Sequence, residues 1–141
     1  NVRSLALLFE TSGVTDISAL SNWDTSNVYN VFQMFQMASN GGPANLDGLS
    51  DWDMSKVEDF RNMFMGCWNL DNNVGVANWD VSSAFMGHYG AAPLEGMFGM
   101  TGMTDISGIA NWDMTGITVL HECECLTPAP CGPLASACVP T

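Results

Sequence analysis

Four carboxylates recur beside four tryptophans: Asp24 follows Trp23, Asp53 follows Trp52, Asp80 follows Trp79 and Asp113 follows Trp112. Oxygen ligands offered at a constant place by neighbouring segments are the chemistry of a calcium site. A simpler chemistry accounts for the same residues, because an Asp carboxylate readily accepts from the backbone two residues on and so closes a turn. Cys123, Cys125, Cys131 and Cys138, with His121 nearby, form a second set of metal-ligand types, but their C-x-C pair and the gaps that follow lack the C-x-x-C of a structural zinc site. Neither His88 nor His121 stands with a Ser or Cys nucleophile in a recognisable signature, and the chain has no G-x-S-x-G, H-E-x-x-H or P-loop. The expectation is therefore a protein that is not an enzyme, with no catalytic residue, no metal and no cofactor.

The aspartates belong to a longer word that the chain repeats. The Trp-Asp pairs are separated by 29, 27 and 33 residues, shorter than the roughly 40–45 of a WD-propeller blade. Three residues after each Trp comes Ser26, Ser55, Ser82 or Thr115, five after it Val28, Val57, Ala84 or Ile117, and a Phe closes the other half of each unit at Phe9, Phe35, Phe64 and Phe98. Val28, Val31, Phe32 and Phe35 fall at i, i+3, i+4 and i+7, and Val57, Phe60 and Phe64 repeat the spacing, which predicts one face of a short amphipathic helix. Ser26 and Ser55 stand where a hydroxyl caps such a helix, and Ser55 with Glu58 spells the S-x-x-E capping box. The segments VTDISALSNW (14–23) and MTDISGIANW (103–112) have no helical spacing and read as a short strand or bend that turns inward at the Trp.

The fold class expected from these units is an α/β repeat solenoid, about four units of short helix plus short strand or bend. One unit cannot stand alone, since ordering costs about 1–2 kcal/mol per residue while each large apolar side chain returns only about 1.5–3 kcal/mol. Stacking supplies the missing burial. Trp23, Trp52, Trp79 and Trp112, with Phe9, Phe35, Phe64, Phe98, Val28 and Val57, are accordingly assigned to a stacked core, and Asp24, Asp53, Asp80, Asp113, Ser26, Ser55, Ser82 and Thr115 to turns and helix caps.

The string LSNWDTSNV at 20–28 followed by Met34-Phe35, and DMSKVEDFRNMFMGCWNL at 53–70, resemble the BspA-like leucine-rich repeats of surface proteins from bacteria and microbial eukaryotes. The resemblance spans residues 1–117. It implies a leucine-rich-repeat-type solenoid and a secreted or surface-attached protein often assigned to adhesion, and it does not imply an active site. Two departures stand out: Asn73 replaces an apolar residue, and the fourth unit carries an insertion at 87–96. The pattern fails beyond Ile117, so residues 118–141 are read as a Cys-rich C-terminal cap or tail. In an extracellular setting its Cys123, Cys125, Cys131 and Cys138 read as two disulfides of open connectivity. Cys67 is left over and is read as a buried free thiol, with an intermolecular bridge as the alternative.

Composition bounds the partners. With 15 acidic residues against Arg3, Lys56 and Arg61, the net charge is −12, which argues against nucleic acid and against an anionic membrane surface. No apolar run approaches the roughly 20 residues of a membrane span. The start at Asn1, in mid-unit, points to a piece of something longer, with any signal or anchor outside it. Ten Met and fourteen Gly suggest smooth apolar patches of the kind that mark partner surfaces. The expected partners are other protein subunits of a cell-surface or extracellular assembly, with adhesion to a matrix protein or glycan as the alternative. Trp68, outside the ladder, and His88 and Tyr89 on the inserted loop are the candidate contacts.

Overall fold

A computed structural model describes residues 2–86 and 93–114. The chain passes four times along one edge, through residues 4–12, 30–38, 59–67 and 93–101, and each pass hydrogen-bonds to the next. The N–H groups of Leu5, Leu7, Phe9 and Thr11 donate to the carbonyls of Asn30, Phe32, Met34 and Gln36 at 2.8–3.0 Å. Val31, Gln33, Phe35 and Met37 donate in turn to Asp59, Arg61, Met63 and Met65, and Phe60, Asn62, Phe64 and Gly66 to Pro93, Glu95, Met97 and Gly99. The intervening N–H groups fold back three residues, as Met34 does to Val31 and Gln36 to Gln33. Half of the donors thus bind the next layer and half close tight turns.

The turns depend on a left-handed residue at the same two places in every layer. These are Leu7 and Thr11, Gln33 and Met37, Asn62 and Gly66, and Gly96 and Met100, with φ between 52° and 76°. A non-Gly residue in this region costs about 1–2 kcal/mol, so the interlayer bonds are what hold Leu7, Gln33 and Met37 there.

The expected α/β repeat solenoid of leucine-rich-repeat type is not what forms. Among the described residues there is no strand and no α-helix; regular structure is limited to 3-10 turns at Ser18–Asn22, Asp47–Leu49, Val74–Val76, Ser82–Met86 and Ser107–Ile109 and to the isolated parallel bridges Ser4–Asn30 and Asn30–Asp59. The helix predicted through Val28, Val31, Phe32 and Phe35, and its copy through Val57, Phe60 and Phe64, is a run of turns, because layer spacing leaves no room for a helix. Phe9, Phe35, Phe64 and Phe98 stack with centroids 5.3–5.6 Å apart. Helix axes pack about 8–10 Å apart, whereas hydrogen-bonded extended chains lie about 4.7–4.9 Å apart. The apolar spacing misleads because these turns also advance by about four residues. The stretches 14–23 and 103–112, read as strand or bend, instead carry the 3-10 turns Ser18–Asn22 and Ser107–Ile109.

Those turns pack backbone on backbone. A Cβ on Gly48 would meet the Ile17 carbonyl, one on Gly75 the Leu46 carbonyl and one on Gly108 the Asn73 carbonyl, all inside contact distance. Glycine four residues before the Trp is the condition for that approach. The core between the two edges holds Phe35, Phe60, Phe64, Leu46, Leu49, Leu70 and the methionines Met34, Met54 and Met63, all fully buried. Asn73, at the place held by Ile17 and Leu46 in other layers, is also fully buried; its Oδ1 accepts from the Gly108 N–H at 3.0 Å and its Nδ2 has no partner among the described residues.

Candidate functional site

The tryptophans form the second edge. Trp52, Trp79 and Trp112 are buried, and each indole N–H donates to the carbonyl three residues before the preceding Trp: Leu20 at 2.9 Å, Leu49 at 3.0 Å and Val76 at 3.0 Å. Trp23 stacks on Trp52 at 6.1 Å and on Phe9 at 6.2 Å, and Trp79 on Trp112 at 6.4 Å; Trp23, assigned to the core with the others, is nevertheless 38% exposed. Phe35, Phe64, Val28 and Val57 are buried, and Phe9 and Phe98 pack partly buried against them.

Beside this edge runs a rail of carboxylates. Asp24 Oδ1 accepts from the Ser26 N–H at 3.1 Å and the Ser26 hydroxyl at 2.6 Å; Asp53 accepts from Ser55 at 3.0 and 2.6 Å, and Asp80 from the Ser82 N–H at 3.0 Å. The serine hydroxyls, then the serine N–H groups, hold all three carboxyls below the ordinary 3.8, since each bond favours the charged form. Neighbouring Asp53 and Asp113 oppose that shift at Asp80. Ser55 donates to Asp53 and caps no helix, so the S-x-x-E reading with Glu58 falls with the helix itself. Among the described residues no group of three or more His, Cys, Asp or Glu is disposed to hold a metal ion.

A second row of side chains, which the spacing analysis missed, caps the 3-10 turns. Asp16, Asn45, Asn72 and Asp105 accept from the N–H of Ser18, Asp47, Val74 and Ser107 at 2.8–3.2 Å. The signal was present as Asp or Asn seven residues before each Trp.

The polar side chains that line a cavity come from two other columns. Arg3, Tyr29 and Glu58 occupy one, Asn27, Lys56 and Ser83 the other, and together they line a shallow, open cleft of about 360 Å³. Lys56 Nζ donates to the Ser26 carbonyl at 2.7 Å and the Ser83 hydroxyl to that of Ser55, which fixes both across layers. Tyr29 is 38% exposed. Among the described residues the Arg3 guanidinium and the Glu58 carboxylate have neither a hydrogen-bond nor an ion-pair partner. The remaining cation, Arg61, is engaged elsewhere: its guanidinium grips buried Asp59 at 2.8 and 2.9 Å and lies 5.1 Å over the Phe32 ring. Sequence reasoning did not find this cleft, whose members become neighbours only when the layers are set in register.

Of the candidate contacts, Trp68 is 54% exposed on a turn near Gly102. Its neighbour Cys67 is a free, fully buried thiol that donates to the Phe35 carbonyl at 3.2 Å, and burial pushes it up to about 12. The methionines divide: Met34, Met54, Met63 and Met97 are core, whereas Met37 is 40% exposed. His88, Tyr89, Thr115, Cys123, Cys125, Cys131 and Cys138, and with them the cap at 118–141, lie outside the described residues. No helix among the described residues is long and apolar enough to cross a membrane.

Residues 1–89 match the model of the family described as "Mycoplasma protein of unknown function, DUF285", and the chain belongs to that family. No curated protein and no solved structure matches it.

Proposed function

We propose, with membership of that family as the premise, that the chain is a non-enzymatic repeat protein of the cell surface or extracellular space, and that it acts as a structural and protein-interaction subunit of a surface assembly. The observation that carries this reading is Trp68. By the register of the interlayer bonds its equivalents are Gly13, Ser39 and Gly102, so the framework asks for a small residue where this layer exposes a large ring. A half-exposed Trp gains most from burial against a partner, and such rings are enriched at protein interfaces. The resemblance of the repeated word to BspA-like surface proteins supports the compartment. An adhesin that holds a glycan is the second reading, and the polar cleft at Arg3 and Lys56 favours it.

Light scattering and electron microscopy on the natively purified full chain test the first reading. The expected result is a regular polymer or large complex that Trp68→Ser disperses while its melting temperature stays near that of the parent. A monomer at every concentration, or an assembly indifferent to Trp68→Ser, would refute it.

A further inference from the structure

We propose that the cleft lined by Arg3, Asn27, Tyr29, Lys56, Glu58 and Ser83 is a binding site for an anionic saccharide, a single sugar ring carrying a carboxylate. This site is independent of whether copies of the chain assemble.

Charge placement is the first argument. A chain with 15 acidic residues has only three Lys and Arg in all, and two of them flank one cleft. Arg3 keeps its whole guanidinium fork free of described partners, and Lys56 uses one of its three N–H bonds on the Ser26 carbonyl. A guanidinium fork and an ammonium on one rim are the donor set for a carboxylate, the guanidinium binding both oxygens. Lys56 also lies close enough to Asp24 and Asp53 to lower both carboxyls, and Glu58 shares the lining, so a ligand carboxylate here is held by directed donors rather than by a net positive field.

The remaining lining separates a sugar acid from a bare anion. Tyr29 offers an exposed ring on which the C–H face of a pyranose can lie, with its hydroxyl free for a polar contact. Asn27 and Ser83 supply donors and acceptors, and the Glu58 carboxylate supplies acceptors alone. Vicinal hydroxyls satisfy such groups; a second carboxylate would not. A cleft of about 360 Å³ lies at the low end of small-molecule sites, enough for one ring.

The test uses the full chain and three probes followed by backbone amide NMR: a glucuronate-containing disaccharide, its neutral glucose counterpart and acetate. The uronate is expected to shift the amides of Asn27, Tyr29, Glu58 and Ser83 saturably, with the neutral sugar and acetate each weaker by about tenfold or more. Arg3→Gln and Lys56→Gln should each weaken uronate binding by about tenfold, the scale of one charge-assisted hydrogen bond, and raised salt should weaken it further. Unchanged spectra away from the cleft show that the variants fold. Equal binding of acetate would leave a simple anion site and overturn the saccharide assignment. Equal binding of the neutral sugar, or uronate binding indifferent to both charge variants, would overturn the role of the cations, and no shift at the cleft would overturn the site.

Discussion

Gly75→Ala separates tightly registered layers from ordinary turns, because the two give opposite signs. Gly75 is buried and its φ lies outside the left-handed region, so Ala can adopt its backbone conformation. On entropy alone the substitution should stabilise by about 0.4–1 kcal/mol. The structure places the Leu46 carbonyl carbon and oxygen and the Asp47 nitrogen where the new methyl would go, and these are backbone atoms that cannot swing aside. Relief requires the 3-10 turns Asp47–Leu49 and Val74–Val76 to move apart, which strains the Trp79 indole bond to the Leu49 carbonyl. Overpacking of this kind costs about 1–3 kcal/mol, so the net expectation is destabilisation within that range. Gly13→Ala serves as the control, since its nearest neighbour is the tip of the exposed Asn40 side chain, which can yield. Urea unfolding, with the slope checked for constancy, reads both. A Gly75→Ala protein as stable as the parent, or more stable, would show that the layers do not approach as described.

Four further outcomes follow from the same packing. Trp79→Ala should cost about 3–5 kcal/mol, whereas Trp79→Phe, which keeps a ring and leaves the Leu49 carbonyl its bond from the Trp52 N–H, should cost about 1–2 kcal/mol; equal losses in denaturant titration would contradict the stacked-ring account. Cys67 should resist thiol reagents in the native protein and react on denaturation, which mass spectrometry of the alkylated peptide can follow; rapid native labelling would place it at the surface. Asp24, Asp53 and Asp80 have folded pKa values below 3.8, so the native state binds fewer protons there, and the stability they contribute is complete above about pH 4 and lost as pH falls through the lowered values; their contribution vanishing between pH 5 and 7 would contradict the serine bonds. Asn73→Leu copies Leu46 and removes a buried amide nitrogen without a partner, so the midpoint should rise by the equivalent of about 1 kcal/mol; a fall would mean that the Oδ1 bond to Gly108 outweighs the orphaned nitrogen.

The period of the chain was legible because a ring that stacks on its own copy must recur at the same place, and the Trp-Asp spacing records that place. The secondary structure was not legible from the same residues. Val28, Val31 and Phe35 satisfy a helical template, yet the left-handed Gln33 and Met37 divide the stretch into turns, and neither Gln nor Met advertises that conformation. The corrective signal lay in Gly48, Gly75 and Gly108, whose constant position before the Trp demands a backbone approach closer than helices allow. Glu58 shows the limit of local motifs: it completes an S-x-x-E box on paper and faces a cleft in space. Arg3 and Lys56, two layers apart in sequence, could be joined only by knowing which residue sits above which.

The columns that hold the layers together and the columns that meet solvent obey different rules. In the framework the residue type repeats, as in the indole N–H bonds of Trp52, Trp79 and Trp112 or the caps at Asp16, Asn45, Asn72 and Asp105, because each layer must fit an identical neighbour. In the cleft the type changes at every step: Arg3, Tyr29 and Glu58 in one column, Asn27, Lys56 and Ser83 in the next. The interlayer backbone bonds flanking them, Tyr29 N–H to the Arg3 carbonyl and Glu58 N–H to the Tyr29 carbonyl, are indifferent to those side chains. The framework therefore leaves these positions free to differ, and a row of unlike side chains on a rigid backbone can be matched to one ligand without disturbing the stack. Trp68 follows the same logic, a large ring in a column otherwise held by Gly13, Ser39 and Gly102. In a repeat protein of this build the recurring word specifies how the layers stand on one another, and the exceptions to the word are where binding is to be sought.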